Sequence, residues 1–461
     1  MVDRTTVALF VMLAFASVGC EATPRPPDVH PNRVPASAPA EENPAERPEL
    51  PAPDFTPAEL RRIARLSPLG PPPADPTNRV ADDPRARALG KELFFDARLS
   101  GSGTVSCASC HDPIRDFTDG RALPSTLGEG TRNTPALWNL AWEKSFFWDG
   151  RASTLWGQAW VPIEHPREMA GDRLQVLHRI AGDRALCSEF EALFGVWPSL
   201  DRFPARATVA PASDLREPLP AAIGTAAEFT PEWNALSSDD RDLIDALATQ
   251  VGKVLAAYQR TLVSGETSFD RAAPLLATGD TAADYPEAAR RGLKLFIGKA
   301  RCHLCHSGPT FSDHAFHATG VAPRPGLPED QGRFGARARI EADPFGANGP
   351  HSDAPEGDAA FRAGAGVITG SDFGAFRTPG LRNVARTAPY MHAGQFATLE
   401  EVLRFYSDRV GSIPADPAHP EPLNEPLRLT RAEIADLIAF LESLSDEITP
   451  TFPRTDPSER R

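Results

Sequence analysis

The segment Cys107-Ala108-Ser109-Cys110-His111 recurs as Cys302-His303-Leu304-Cys305-His306, and this repetition limits what the chain can fold into more than any bulk property does. Two thiols separated by two residues and followed at once by a histidine form the attachment pattern of c-type haem. The thiols make thioethers with the haem vinyls, and the histidine becomes the proximal iron ligand. A zinc site built from two CxxC pairs, a thioredoxin-like dithiol and exported disulfides are the competing readings. None of them explains why a histidine follows the second thiol both times. Of the six cysteines, Cys20 and Cys187 remain. Cys187, set between Leu186 and Phe190 in a helical stretch, reads as a small buried hydrophobe.

The surroundings of the two motifs repeat as well. Gly90-Lys91-Glu92-Leu93-Phe94-Phe95 precedes the first, and Gly292-Leu293-Lys294-Leu295-Phe296-Ile297 the second. Phe117 to Asp119 follows one, and Phe311 to Asp313 the other. Further on, Arg132 to Asn139 answers Arg377 to Asn383, Gly150 answers Gly394, and Thr154-Leu155 answers Thr398-Leu399. A unit that occurs twice is a duplicated domain. Each half closes with an amphipathic helix, predicted over 239–262 and 431–444, the second opened by a capping box from Thr430 to Glu433. A chain of 461 residues has room for two ordinary cores. The expected architecture is therefore mainly α: two tandem cytochrome-c-like haem domains with long loops, at 55–270 and 271–446, and a tail at 447–461.

The N-terminus carries Arg4, an apolar run from Val7 to Ala16, and Ser17-Val18-Gly19-Cys20. This pattern predicts an export signal over 1–20 of the lipoprotein kind, with Cys20 as the lipidated residue. From 21 to 54 the chain is dominated by Pro, Ala and Glu, a composition that cannot offset the entropy of ordering and predicts a disordered linker. Order is expected from Phe55, where Thr56-Pro57-Ala58-Glu59 forms a capping box with Pro at the first helical position. The predicted location is the periplasm, with membrane contact only through the anchor at Cys20, since no later apolar run reaches the roughly 20 residues a span needs. A formal net charge of -14 argues against a nucleic-acid partner, because no basic footprint is left to neutralise phosphates.

Between Pro84 and Leu444 the chain carries Phe146-Phe147-Trp148-Asp149-Gly150-Arg151, Glu168-Met169, Thr378-Pro379-Gly380-Leu381-Arg382-Asn383 and Ala388-Pro389-Tyr390-Met391-His392-Ala393-Gly394, in that order. In these motifs it resembles the bacterial di-haem cytochrome c peroxidase family, in particular its MauG-like subgroup. The stretch from Arg333 to Gly370 is longer and more polar than the family pattern. A solvated excursion is the favoured reading of it, over a partner-docking loop.

The resemblance implies a peroxidase with two covalently bound haem c groups. The N-terminal haem, on His111, takes hydrogen peroxide, and the C-terminal haem, on His306, draws electrons from an external donor. That donor is a cytochrome c, a copper protein or an oxidisable protein substrate. Glu168 is implied as the carboxylate that shuttles the peroxide proton, a task suited to a carboxyl in a mostly apolar pocket. Gln158 is implied as the amide that orients peroxide or water, and Trp148 as the indole between the haems. The Asn133 side chain and the Thr387 and Pro389 carbonyls match an interdomain calcium site, built from the hard oxygen donors that calcium prefers.

No histidine lies between His111 and His165, so the first haem is expected to be open without reductive activation, with His165 on a loop beside its pocket. On the second haem, Tyr406 stands where the cytochrome-c-oxidising members carry methionine. An anionic tyrosine lowers the potential and stabilises oxidised iron, whereas a methionine raises it. Met391 is the alternative ligand. Two other functions stay open at this point: a conventional cytochrome c peroxidase fed by a small cytochrome or copper protein, and a non-catalytic di-haem electron carrier.

Overall fold

The computed structural model describes residues 55–207, 230–354, 368–413 and 425–447. The expected signal with Cys20, the linker over 21–54 and the tail beyond Glu447 lie outside them. The described residues are mainly helical, and they contain one two-stranded antiparallel ribbon, Phe316–His317 against Phe376–Arg377. Among them no helix is long and apolar enough to cross a membrane.

Apolar side chains gather into two cores. One surrounds the crossing of helix Pro84–Phe95 on helix Ser238–Gln259, and the other the crossing of Glu287–Ile297 on Arg431–Glu442. A glycine sits at each crossing, and a Cβ at Gly90 would collide with the Val254 carbonyl just as one at Gly292 would collide with the Asp436 carbonyl. Glycine in mid-helix costs about 1 kcal/mol relative to alanine, and here it lets two helix backbones touch. The freed space is filled by rings in matching places: Phe94 meets Tyr258 at 5.2 Å between centroids, and Phe296 meets Phe440 at 5.0 Å. The duplication reaches the backbone too, since Phe117 and Phe311 have φ of 58° and 56°, and Asn139 and Asn383 have φ of 63° and 64°.

Capping follows the sequence closely. Thr56 and Glu59 form the expected box, as do Thr430 and Glu433. The two closing helices end slightly before the predicted limits, at Gln259 and Glu442. Thr430→Ala is expected to cost about 1 kcal/mol, read as a lower urea midpoint of the holoprotein with an unchanged slope.

The division between the halves differs from a cut at 270/271. Helix Pro57–Ile63, assigned by sequence to the first domain, packs on the second core through fully buried Ile63. Its Arg62 donates to the Ile297 carbonyl at 2.9 Å, and its Glu59 pairs with Lys294 at 2.7 Å. The position of the cut itself falls inside helix Ser268–Ala277, whose Phe269 lies in the middle of the second aromatic cluster.

The insertion after Arg333 is also not the solvated excursion the sequence favoured. Its described part lies on the first half: Phe345 is buried in the first core, its carbonyl accepts from the Thr154 hydroxyl at 2.7 Å, and the Ala347 amide donates to Ser153 Oγ at 3.0 Å. Asp353 then pairs with the buried Lys253 ammonium at 2.7 Å. One aromatic anchor and a few paired charges are enough to seat a segment whose composition is otherwise polar.

Candidate functional site

Both CxxCH segments form a short turn of 3-10 helix, Cys107–Ser109 and Cys302–Leu304, which brings the thiols and the following histidine to one side. Each imidazole is then fixed the same way. His111 Nδ1 lies 3.0 Å from the Phe117 carbonyl, and His306 Nδ1 lies 2.9 Å from the Phe311 carbonyl. A backbone carbonyl can only accept, so Nδ1 carries the proton and Nε2 is the nitrogen left for a metal. Burial pushes both imidazoles below their ordinary range, which keeps them neutral and ready to ligate.

The thiols are free, with no disulfide among the described residues. Burial pushes Cys107, Cys110 and Cys302 up to about 12, the reverse of what a redox dithiol requires. Two thiols followed by a histidine whose Nδ1 is held by a carbonyl fit covalent haem attachment at both places.

Above the first motif lies a cavity lined by Cys107, Cys110, His111, Gln158, Glu168 and Met169, and closed by apolar side chains such as Phe94 and Leu137. Gln158 arrives at the end of helix Leu155–Gln158, which Thr154 caps. Glu168 comes from a tight turn in which the amides of Glu168, Met169 and Ala170 all donate to the His165 carbonyl, at 3.0, 3.1 and 3.0 Å. The Thr126 hydroxyl ties the turn down through the Arg167 and Glu168 carbonyls. His165 does not line the cavity, but its Nδ1 stands 3.4 Å from Glu168 Oε1.

The second motif faces Tyr406 on helix Leu399–Asp408. Burial pushes the Tyr406 hydroxyl up to about 12, the nearby Cys302 adds to this, and a hydrogen bond with Thr319 works against it. Met391 belongs to a turn that touches the first half: Gly394 there has no room for a Cβ beside Ala122, and the His392 carbonyl accepts from the Asn133 amide at 2.8 Å.

Trp148 is held from both sides of the interface. Its Nε1 donates to the Asn133 carbonyl at 2.8 Å, and its own carbonyl accepts from the Arg377 amide at 2.8 Å. The Asn133 amide nitrogen Nδ2 turns to the Arg121 carbonyl at 2.8 Å, which leaves Oδ1 as the end open to a cation.

Two buried charge networks flank this indole, and neither was legible from the motifs. In one, Asp149 joins Arg132 and Arg151, and Arg132 continues to Asp330 at 2.7 Å. Burial pushes the Asp149 carboxyl up, but the two guanidiniums override it and hold it at about 2. In the other, Glu143 of the first half binds Arg377 and His314 of the second, the latter at 2.9 Å. Asp149 and Arg151 at least belonged to a visible motif, whereas nothing near Glu143 or His314 in sequence signalled a pair so far apart along the chain.

A family model described as di-haem cytochrome c peroxidase matches residues 84–275. The methylamine utilization protein MauG of Methylorubrum extorquens is 35% identical over 368 residues, covering 79% of each chain. A cytochrome-c peroxidase of Denitromonas iodatirespirans is 34% identical over 394 residues, covering 83% of this chain and 87% of its own. Among solved structures, a MauG-like protein associated with microbial copper homeostasis superposes with a TM-score of 0.55 at 28% identity, covering 83% of this chain and 94% of that one. The chain belongs to the di-haem cytochrome c peroxidase and MauG family. It is an oxidoreductase of the peroxide-acting class.

Proposed function

We propose that the protein reduces hydrogen peroxide in the cavity over His111 and draws the electrons through the second haem site from an external protein donor. The observation that carries this reading is the placement of one carboxylate, Glu168, with two amides, Gln158 and Gln259, among apolar side chains in the cavity that also holds the two thiols and His111. Covalent haem held by Cys107, Cys110 and His111 would supply a redox-active metal able to bind peroxide. Glu168 takes the proton from the peroxide oxygen nearer that metal and returns it to the departing oxygen, the acid–base work that O–O cleavage requires. Gln158 orients the oxygen by hydrogen bonding, beside the apolar side chains of Phe94, Leu137 and Met169. Each peroxide becomes two waters at the expense of two protons and two electrons.

The electrons cross at Trp148, whose two hydrogen bonds tie it to both halves. Its Nε1 donates to a carbonyl, which is no base, so the indole keeps its proton while an electron passes. Covalent haem held by Cys302, Cys305 and His306 would take an oxygen ligand from Tyr406, and an anionic oxygen there would stabilise the oxidised form. The Asn133 side chain and the Thr387 and Pro389 carbonyls would offer a calcium ion the hard oxygen donors it prefers, and such an ion would tie the two halves together. The donor is a protein, and Tyr406 favours an oxidisable side chain over a small cytochrome, in a periplasmic setting.

Electron paramagnetic resonance of the ferric protein tests the reading. A high-spin signal from one haem and a low-spin signal from the other are expected, both lost on adding one equivalent of peroxide. Two low-spin haems indifferent to peroxide would mean an electron carrier. Trp148→Phe is expected to leave both ferric signals in place and to slow the loss of the low-spin signal about 10-fold relative to the high-spin one.

A further inference from the structure

We propose that His165 is the proton partner of Glu168, a positioning residue that carries the peroxide proton between that carboxylate and solvent. The inference rests on Glu168 being the proton-shuttling group of the cavity.

The two side chains sit three residues apart on the turn that closes on the His165 carbonyl, so the backbone fixes their separation. Nδ1 lies 3.4 Å from Glu168 Oε1, and this nitrogen is buried with no hydrogen-bond partner. A contraction of a few tenths of an ångström makes the hydrogen bond. The imidazole side chain is 29% exposed, so the ring touches the carboxylate with one edge and water with another. Because it stays outside the cavity wall, it reaches the proton without competing for the metal.

Charge around the ring suits a carrier. Burial pushes His165 below its ordinary range; Glu168 works the other way, and the guanidiniums of Arg151, Arg339 and Arg167 push it lower. These groups come from every side: Glu168 and Arg167 from its own turn, Arg151 from the segment after Trp148, and Arg339 from the insertion helix Arg337–Ala342. The imidazole is therefore neutral at neutral pH, able to accept a proton on Nδ1 and, among three cations, quick to give it up. Glu168 passes the peroxide proton to Nδ1 as Nε2 releases its own to water, and the reverse transfer, from water to Nε2 and from Nδ1 to Glu168, restores a proton for the departing oxygen. No electron passes through the ring. The reading that His165 only ends helix Trp160–Glu164 uses its backbone, because the cap is its amide donating to the Pro162 carbonyl, and any side chain keeps that bond.

Hydrogen cyanide is the probe, since it binds ferric haem as the anion and must leave its proton in the cavity. Cyanide affinity of the ferric holoprotein is measured optically between pH 5 and 9 for the wild type, His165→Gln, His165→Asn and Glu168→Gln, each with haem content checked. Both His165 variants are expected to bind cyanide about 10-fold more weakly at pH 7 and to lose one step of the wild-type pH profile. A profile identical to wild type in either haem-loaded variant, with Glu168→Gln altered, overturns the proposal. If Glu168→Gln is also unaltered, the failure lies with Glu168 as the cavity base.

Discussion

Glu168→Gln is expected to keep both haems and the ferric spectrum while slowing the reaction with hydrogen peroxide by about 10²- to 10⁴-fold. The substitution preserves side-chain length, and the turn around it is held by backbone bonds to the His165 carbonyl and by the Thr126 hydroxyl, none of which involves the carboxyl group. The carboxylate is 36% exposed in its side chain, so its removal leaves no buried charge unpaired. What is lost is the capacity to hold a proton. Gln158, already an amide, cannot replace it. Stopped-flow mixing of the ferric protein with excess peroxide measures the effect, and an unchanged rate removes Glu168 from the mechanism.

What the sequence disclosed and what it hid divide along a physical line. Covalent attachment needs fixed spacing, so Cys107 to His111 and Cys302 to His306 could be read directly, and the duplication around them showed Gly90 and Gly292 in matching places, though not that helices cross there. Caps are local as well, and Thr56 and Thr430 bind within three residues. Contacts between distant segments leave no local trace. The Glu143–His314 pair joins residues 171 positions apart, and the seating of Phe345 on Thr154 spans 191. The insertion looked solvated because its composition is polar, yet one buried ring decides where it lies. Helix Pro57–Ile63 was likewise given to the nearer core in sequence, although Ile63 and Glu59 find their partners in the farther one. His165 shows the intermediate case: its neighbour Glu168 was visible in the motif, but their proximity depends on a turn that the sequence did not announce.

Tyr406→Phe is expected to convert the second haem from low-spin to high-spin in the ferric state and to raise its potential by on the order of a few hundred mV, within the span of about 0.8 V that axial ligands control. The ring of Tyr406 is held by edge contact with Phe405 at 5.3 Å, and its carbonyl accepts from the Leu427 amide at 3.2 Å. Phenylalanine keeps both contacts and deletes only the oxygen. Burial, helped by Cys302, pushes that hydroxyl up to about 12, so a phenolate there requires a positive charge close by. Ferric iron supplies one, inverting the local acid–base balance as bound cations do. A phenolate ligand would in turn hold the iron oxidised, which would suit a site that stores oxidising equivalents better than one that accepts electrons from a small cytochrome. If Met391 were the ligand instead, the substitution would leave the low-spin signal intact. That outcome would return the protein to the conventional peroxidases that take electrons at a methionine-ligated haem.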